Sequence, residues 1–208
     1  NLVAQKLYEK LTGRPDIPGS RYLQGLVEFH EVTDETIYKV AKSGDTIRSM
    51  VLDSASFLER ADDRLNRIFT AAASGVLVKY AVSADSFSIN RSAVTIPDEW
   101  VSNFIGKILQ MQGKGLDLRV LQPGIKRYQF ASLNSDVLAL VISDKPMTAA
   151  WVNRDSNADM IDSAIDSFEE EWKSAIPLSQ ITPEILLEWG LPKDNFIVNI
   201  LMKSRDVR

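Results

Sequence analysis

Covalent chemistry at neutral pH needs a nucleophile, a base or a metal ligand, and this chain is poor in all three. It has no cysteine, which excludes disulfides, thiolate metal sites and cysteine nucleophiles. Its single histidine, His30, leaves at most one imidazole base and nearly excludes a zinc site built on imidazole. Beside Glu31, His30 reads either as a base or pH switch or as an ordinary surface or half-buried histidine. The remaining candidates bind rather than react. Asp53, Ser54 and Ser56, then Ser83 and Asp85, then Gln122 each follow an apolar segment. Together they can hydrogen-bond a polar ligand; taken singly, the first three cap a helix and the next two make a turn. Trp151 can stack on a ligand from a pocket wall or fill a strand core. Lys79 and Arg119 either meet an anion or point outward from strands. Asp162, Asp166, Glu169, Glu170 and Glu171 read as a solvated helix face before they read as a cation site. Gly113-x-Gly115 is not a phosphate loop, because it precedes a strand instead of following one.

The elements that must position these groups show a repeat. Arg67-Ile68-Phe69 runs through Ala73-Ser74-Gly75 into Val76-Leu77-Val78-Lys79-Tyr80-Ala81-Val82. Lys107-Ile108-Leu109 runs through Gly113-Lys114-Gly115 into Leu116-Asp117-Leu118-Arg119-Val120-Leu121-Gln122. Each copy is a helix closed by glycine and followed by an apolar strand, with a cation at the fourth strand position. A first strand is expected over 46–52 and a long helix over 57–73. A second helix carries Trp100, Phe104, Ile108 and Met111 at helical spacing. Residues 21–31 read as a helix interrupted at Gly25 or as a short strand. Thr33 is expected to cap a helix through about residue 42, with Asp34 and Glu35 at its positive end. After Pro123-Gly124 come three strands joined by turns, over 126–133, 137–142 and 147–152. A helix over 157–175 then buries Met160, Ile161, Ile165, Phe168 and Trp172.

Helices alternating with buried strands imply parallel pairing through right-handed crossovers. The fold class expected is therefore α/β: a single mixed sheet, parallel strands linked by crossover helices, a C-terminal antiparallel meander and helices on both faces. Residues 1–32 are set apart as an N-terminal helical segment, a linker or dimerisation element. Residues 33–176 form the core, and 177–208 a C-terminal helical appendage opening with Pro183 in a first turn. A length of 208 residues with 45% apolar and 25% charged residues suits one domain with a sizeable core. The net charge of −4 argues against nucleic-acid binding by this chain alone. No apolar run approaches the roughly 18–20 residues of a membrane span. Asn1 to Lys6 opens an amphipathic helix, not a secretory leader, and the missing initial Met suggests residues upstream.

The order of elements resembles a known family. A helix, glycine and Val-x-Val-Lys strand, the pair Tyr128-Gln129-Phe130-Ala131-Ser132-Leu133 and Val137-Leu138-Ala139-Leu140-Val141-Ile142-Ser143, and a closing helix ending Phe168-Glu169-Glu170-Glu171-Trp172-Lys173-Ser174-Ala175 resemble a phospholipase D-like half domain. Over residues 33–175 the chain is similar in particular to the effector domains of TrmB-type transcriptional regulators, where a closing Phe-x-x-x-Trp-x-x-Ala helix recurs. The enzymes of that fold need a His-x-Lys pair with an Asp five residues beyond the Lys. Here Phe130 and Ser132 stand at the pair, Val137 at the Asp position, and Asp136 one residue off, so the resemblance implies a relative without catalysis. It further implies a cytoplasmic, dimeric domain that binds a small-molecule effector, needs no cofactor or metal, does not enter a membrane, and reaches DNA only through a separate winged-helix segment not evident here. The ligand residues expected are Asp53, Ser54, Ser83, Asp85, Gln122 and Trp151. A rival expectation is a protein-interaction module using the apolar segments 2–11 and 196–202.

Overall fold

The computed structural model describes residues 19–51, 61–84, 106, 110–124, 128–144, 146–193 and 198. Asp53, Ser54, Ser56, Asp85 and Trp100, and with them most of the second helix and the segment 2–11, lie outside these.

The described elements are β1 (Ser20–Gln24), α1 (Gly25–Thr33) running into a π-helical turn (Asp34–Tyr38), β2 (Thr46–Val51), α2 (Ala61–Ala73), β3 (Leu77–Ser83), β4 (Leu116–Leu121), β5 (Phe130–Leu133), β6 (Val137–Asp144), β7 (Met147–Asn153), α3 (Arg154–Ser174), β8 (Ile176–Pro177), a 3-10 turn (Leu178–Gln180) and α4 (Pro183–Glu188). They form one eight-stranded mixed sheet in the order β1-β7-β6-β5-β2-β3-β4-β8. The pairs β2–β3 and β3–β4 are parallel, and β5–β6–β7 is the expected antiparallel meander.

The inner strands β2 to β7 alternate between two cores, one on either face. Ile47, Val51, Val78, Tyr80, Val82, Leu118, Val120, Ala131, Ala139 and Trp151 pack against α1, α2 and α4. Met50, Ala81, Leu121, Phe130, Leu138 and Val152 pack against Ile161, Ile165, Phe168 and Trp172 of α3. Burial on both faces is why these strands read as nearly unbroken apolar runs.

The glycines of the repeat are required by the backbone. Gly75 and Gly115 have φ of +89° and +92°, the left-handed region that ends a helix with little cost only for glycine. Gly115 is also tightly enclosed: a Cβ there would lie 2.6 Å from the Ala72 carbonyl oxygen. The end of α2 thus rests on the residue that launches β4.

Three local expectations are corrected. Residues 21–31 are both alternatives in succession: β1 ends at Gln24, and Gly25, at φ +83°, turns the chain directly into α1. Thr33 does not cap a helix, because α1 is already under way. Its hydroxyl instead donates back to the Phe29 and His30 carbonyls, at 2.8 and 3.1 Å. The long closing helix begins earlier than expected. Asn153 caps a first turn at Arg154, and Asn157, with non-helical backbone, accepts from the Met160 N–H at 3.0 Å and starts the main helix afresh.

Residues grouped with the terminal segments are built into this unit. β1 pairs along its length with β7. β8 closes the opposite edge on β4, and Leu178, Ile181, Leu186, Leu191 and Val198 are buried in the larger core. Among the described residues no helix is long and apolar enough to cross a membrane.

Candidate functional site

The face of the sheet under α3 carries a half-buried ionic cluster. Arg48 on β2 and Lys79 on β3 are register partners, and both point at α3. Glu169 receives them: Arg48 Nε donates at 2.7 Å, and Lys79 Nζ donates to both carboxylate oxygens at 2.9 and 2.7 Å. Partial burial pushes the Glu169 carboxyl up, but these hydrogen bonds and the two positive charges outweigh it and hold it below its ordinary value. Glu169 is thus not the solvated acid expected from the sequence, and Lys79 is not an outward cation. Arg119 also turns inward, binding Asp117 at 3.0 Å and lying 4.6 Å above the Trp172 ring.

Aromatic contacts continue from there. Trp172 stacks on Phe168 at 5.2 Å, and Phe168 meets Phe130 edge-on at 5.5 Å. Four-residue spacing on one helix is what brings Phe168 and Trp172 together. Phe130 opens β5, which is antiparallel to β2, so it lies at the carboxyl end of the parallel strands, opposite Met50. That end is where open α/β sheets bind ligands.

A groove of about 270 Å³ opens there between the sheet and α3. Met50, Phe130 and Leu140 form its floor, Met160, Ala164 and Phe168 its α3 wall, and Tyr128, 70% exposed, stands at its rim. On α3 its described polar groups are Ser163, Ser167 and Glu171, one row at four-residue spacing. Beside it, β6 carries a bulge between Val141 and Ser143 that leaves Ile142 exposed, an irregularity often found next to binding sites.

The opposite face holds a polar cluster of different character. Asp34, in the π-helical turn, is ion-paired with Arg67 of α2. Burial raises the Asp34 carboxyl above its ordinary value, more than the charges of Arg67 and Lys39 lower it. His30, Thr33, Ser49, Tyr80 and Gln129 line a cavity of about 20 Å³ beside this pair, room for about one water molecule. His30 is therefore a buried side chain at a helix–sheet seam, edge-on to Phe29 at 5.8 Å.

Of the six residues predicted to hold a ligand, three are described; Ser83 and Gln122 come to neighbouring strand ends, since Ser83 is the register partner of Leu121, while Trp151 lies apart from them on β7. Ser83 is buried at the end of β3, and Gln122 is exposed just beyond β4. Trp151 is a core side chain, 1% exposed, whose indole N–H donates to Thr36 Oγ1 at 3.0 Å. The groove residues were not singled out as ligand contacts from the sequence. Ser163, Ser167 and Glu171 at four-residue spacing beside the inward row Met160–Ala164–Phe168 were the available signal. Ser132 is fully buried, and its hydroxyl has no hydrogen-bond partner among the described residues. No group of His, Cys, Asp and Glu among the described residues is placed to hold a metal ion.

No family model matches the chain, and no curated protein sequence matches it. Solved structures do. Polyphosphate kinase from Porphyromonas gingivalis superposes with a TM-score of 0.51 at 14% identity, over 82% of this chain and 29% of that one. Nuc from Salmonella typhimurium, a phospholipase D family member, gives 0.49 at 13% identity, over 76% and 97%. Phosphatidylserine synthase from Haemophilus influenzae Rd KW20 gives 0.46 at 11%, over 83% and 45%. The chain therefore spans less than half of the synthase and less than a third of the kinase. The likeness to the kinase is one of fold, in line with the phospholipase D-like fold expected from the sequence.

Proposed function

We propose that this chain is a non-catalytic effector domain that binds a small molecule in the groove between α3 and the carboxyl end of β2. The observation that carries this reading is Phe130. It stands where the resemblance puts the nucleophilic histidine of phospholipase D enzymes, and it is the apolar floor of a ligand-sized groove. A phenyl ring cannot attack phosphorus, and Ser132 beside it supplies no cation. The aromatic closing helix, Phe168 to Trp172, further supports the similarity to TrmB-type transcriptional regulators. In that reading the domain is cytoplasmic and dimeric, senses its effector through α3, and acts on DNA through a separate winged-helix segment.

The test is a thermal-shift screen of the chain against metabolites, repeated on Ser163→Trp, which fills the groove from an exposed helix position. A ligand bound only by the folded state adds about 2.7 kcal/mol at a hundredfold excess over its Kd, several degrees for a domain of this size. A saturable shift in the wild type that disappears in Ser163→Trp is expected. A shift that survives the substitution, or saturable phosphodiesterase turnover lost on a point change, overturns the reading.

A further inference from the structure

The floor of the groove continues beyond the helix that walls it. Strand register places Met50, Phe130, Leu140, Ala150 and Tyr22 side by side, one each from β2, β5, β6, β7 and β1. All five lie on the α3 face of the sheet. Met50, Phe130 and Leu140 do so as the groove floor. Ala150 and Tyr22 alternate with Ala149, Trp151 and Leu23, which are buried in the core on the other side. The row is one apolar track from the interior of the sheet to its edge.

Its two ends differ. At the inner end Met50 and Phe130 are buried, with Ala164 and Phe168 of α3 lining the same groove. Outward, Leu140 and Ala150 are half-buried and Tyr22 is 57% exposed. Single exposed apolar residues need no explanation, but Tyr22 ends this row, Tyr128 stands at its groove rim and Ile142 lies two residues beyond Leu140. Adjacent strands lie about 4.8 Å apart, so the floor from Met50 to Leu140 spans about 10 Å and the whole track about 19 Å. An extended alkyl chain advances about 1.25 Å per carbon, from a bond of about 1.5 Å at the tetrahedral angle. The groove alone thus matches about eight carbons and the whole track about fifteen. The floor is one side chain wide along its length, and the thioethers of Met50 and Met160 adapt to a flexible chain.

On the premise that the groove is the ligand site proposed above, we infer that its ligand is a free amphiphile with a single unbranched alkyl chain. The methyl end lies against Met50, Phe130 and Phe168. The chain leaves across Leu140 and Ala150, and its polar head stands in water at the sheet edge beside Tyr22. Binding strength is then set by chain length, up to the length of the track.

The experiment is calorimetric titration of the whole protein with octyl, decyl and dodecyl maltoside below their micelle-forming concentrations, with maltose as the chainless control. It is repeated on Ala150→Gln, Tyr22→Ser and Ser163→Trp. Dodecyl maltoside is expected to bind at least about tenfold more tightly than octyl maltoside, since four further methylenes each become about half buried. Maltose is expected not to bind. Ala150→Gln puts a polar side chain across the track, and Tyr22→Ser trims its exposed end. Both are expected to lower the dodecyl-to-octyl ratio while leaving octyl maltoside unchanged. Ser163→Trp is expected to abolish binding of all three. Maltose binding as tight as that of octyl maltoside, a ratio near one, or a ratio that survives both Ala150→Gln and Tyr22→Ser overturns the chain assignment but leaves the groove standing as a site. Absence of binding by every alkyl maltoside also overturns it, and the groove reading is then judged separately by its own thermal-shift test. Binding unaffected by Ser163→Trp overturns both. In sedimentation with phosphatidylcholine vesicles the protein is expected to stay in solution; co-sedimentation assigns the track to a bilayer and overturns the free amphiphile.

Discussion

Glu169 and Lys79, ninety residues apart in the chain, form a bidentate pair at 2.9 and 2.7 Å that joins α3 to the centre of the parallel strands, with Arg48 closing the same carboxylate from β2. All three side chains are between 17% and 31% exposed, so the cluster is screened but not fully solvated. Removing the charge leaves two cations facing each other under the helix.

Glu169→Gln should therefore destabilise the fold by about 1–2 kcal/mol, more than an exposed pair would. The pH dependence follows from the depressed folded-state pKa of Glu169. Its contribution is complete above the ordinary carboxylate value and is lost as pH falls through the lower, folded value. Urea denaturation between neutral and acid pH should show that loss in the wild type and a flatter profile in Glu169→Gln. An unchanged profile would remove the pair from the stability argument.

Asp34 should behave with the opposite sign. Its carboxyl is raised by burial, so the folded state holds the proton more tightly than the unfolded chain. Its contribution is complete below the ordinary value and falls as pH rises from there through the raised one. Asp34→Asn should flatten that part of the curve. Direct titration of the Asp34 carboxyl by NMR is the sharper check, and a value at or below the ordinary one would contradict the burial argument.

Gly115→Ala should cost about 2 kcal/mol or more. A positive φ alone makes alanine unfavourable by about 1 kcal/mol, and here the added Cβ also meets the Ala72 carbonyl oxygen at 2.6 Å. Gly44→Ala is the matched control, since Gly44 has φ +93° and nothing within 4 Å of the new Cβ. Chemical denaturation of the two variants separates backbone strain from collision. Equal losses would mean that the close approach between α2 and β4 carries no weight.

Ser132→Ala should be neutral or stabilising by up to about 1 kcal/mol. The hydroxyl is fully buried with no partner among the described residues, so folding forfeits its hydration without return. A loss above 1 kcal/mol, read as a lowered urea midpoint, would show that the hydroxyl is satisfied in solution.

Much of the architecture was legible because it is encoded locally. Gly75 and Gly115 announce helix ends through their own φ preference, and the apolar runs at 46–51, 77–83 and 116–121 announce strands buried on both faces. Phe168 and Trp172 show an inner helix face by spacing alone. The helix–glycine–strand unit, the strand pair and the closing Phe168–Trp172 helix pointed to a phospholipase D-like fold, and the likeness to the kinase agrees with it.

The site was less legible, for a physical reason. Hydrophobic periodicity says which face of an element is inside, but not what lies opposite. Glu169 looked solvated among Glu170 and Glu171 because nothing local marks the carboxylate that Arg48 and Lys79 will reach from 121 and 90 residues away. Thr33 looked like a cap because its neighbours are acidic, yet a helix already running from Gly25 had removed the need for one. Trp151, ambiguous by sequence, became core once Thr36 supplied an acceptor for its indole N–H. Sequence by itself determined the element types, the two-faced strands and the missing His-x-Lys pair, all properties of neighbouring residues. Only the tertiary structure decided which charges meet and where a groove remains between α3 and the sheet, because both depend on how distant elements pack.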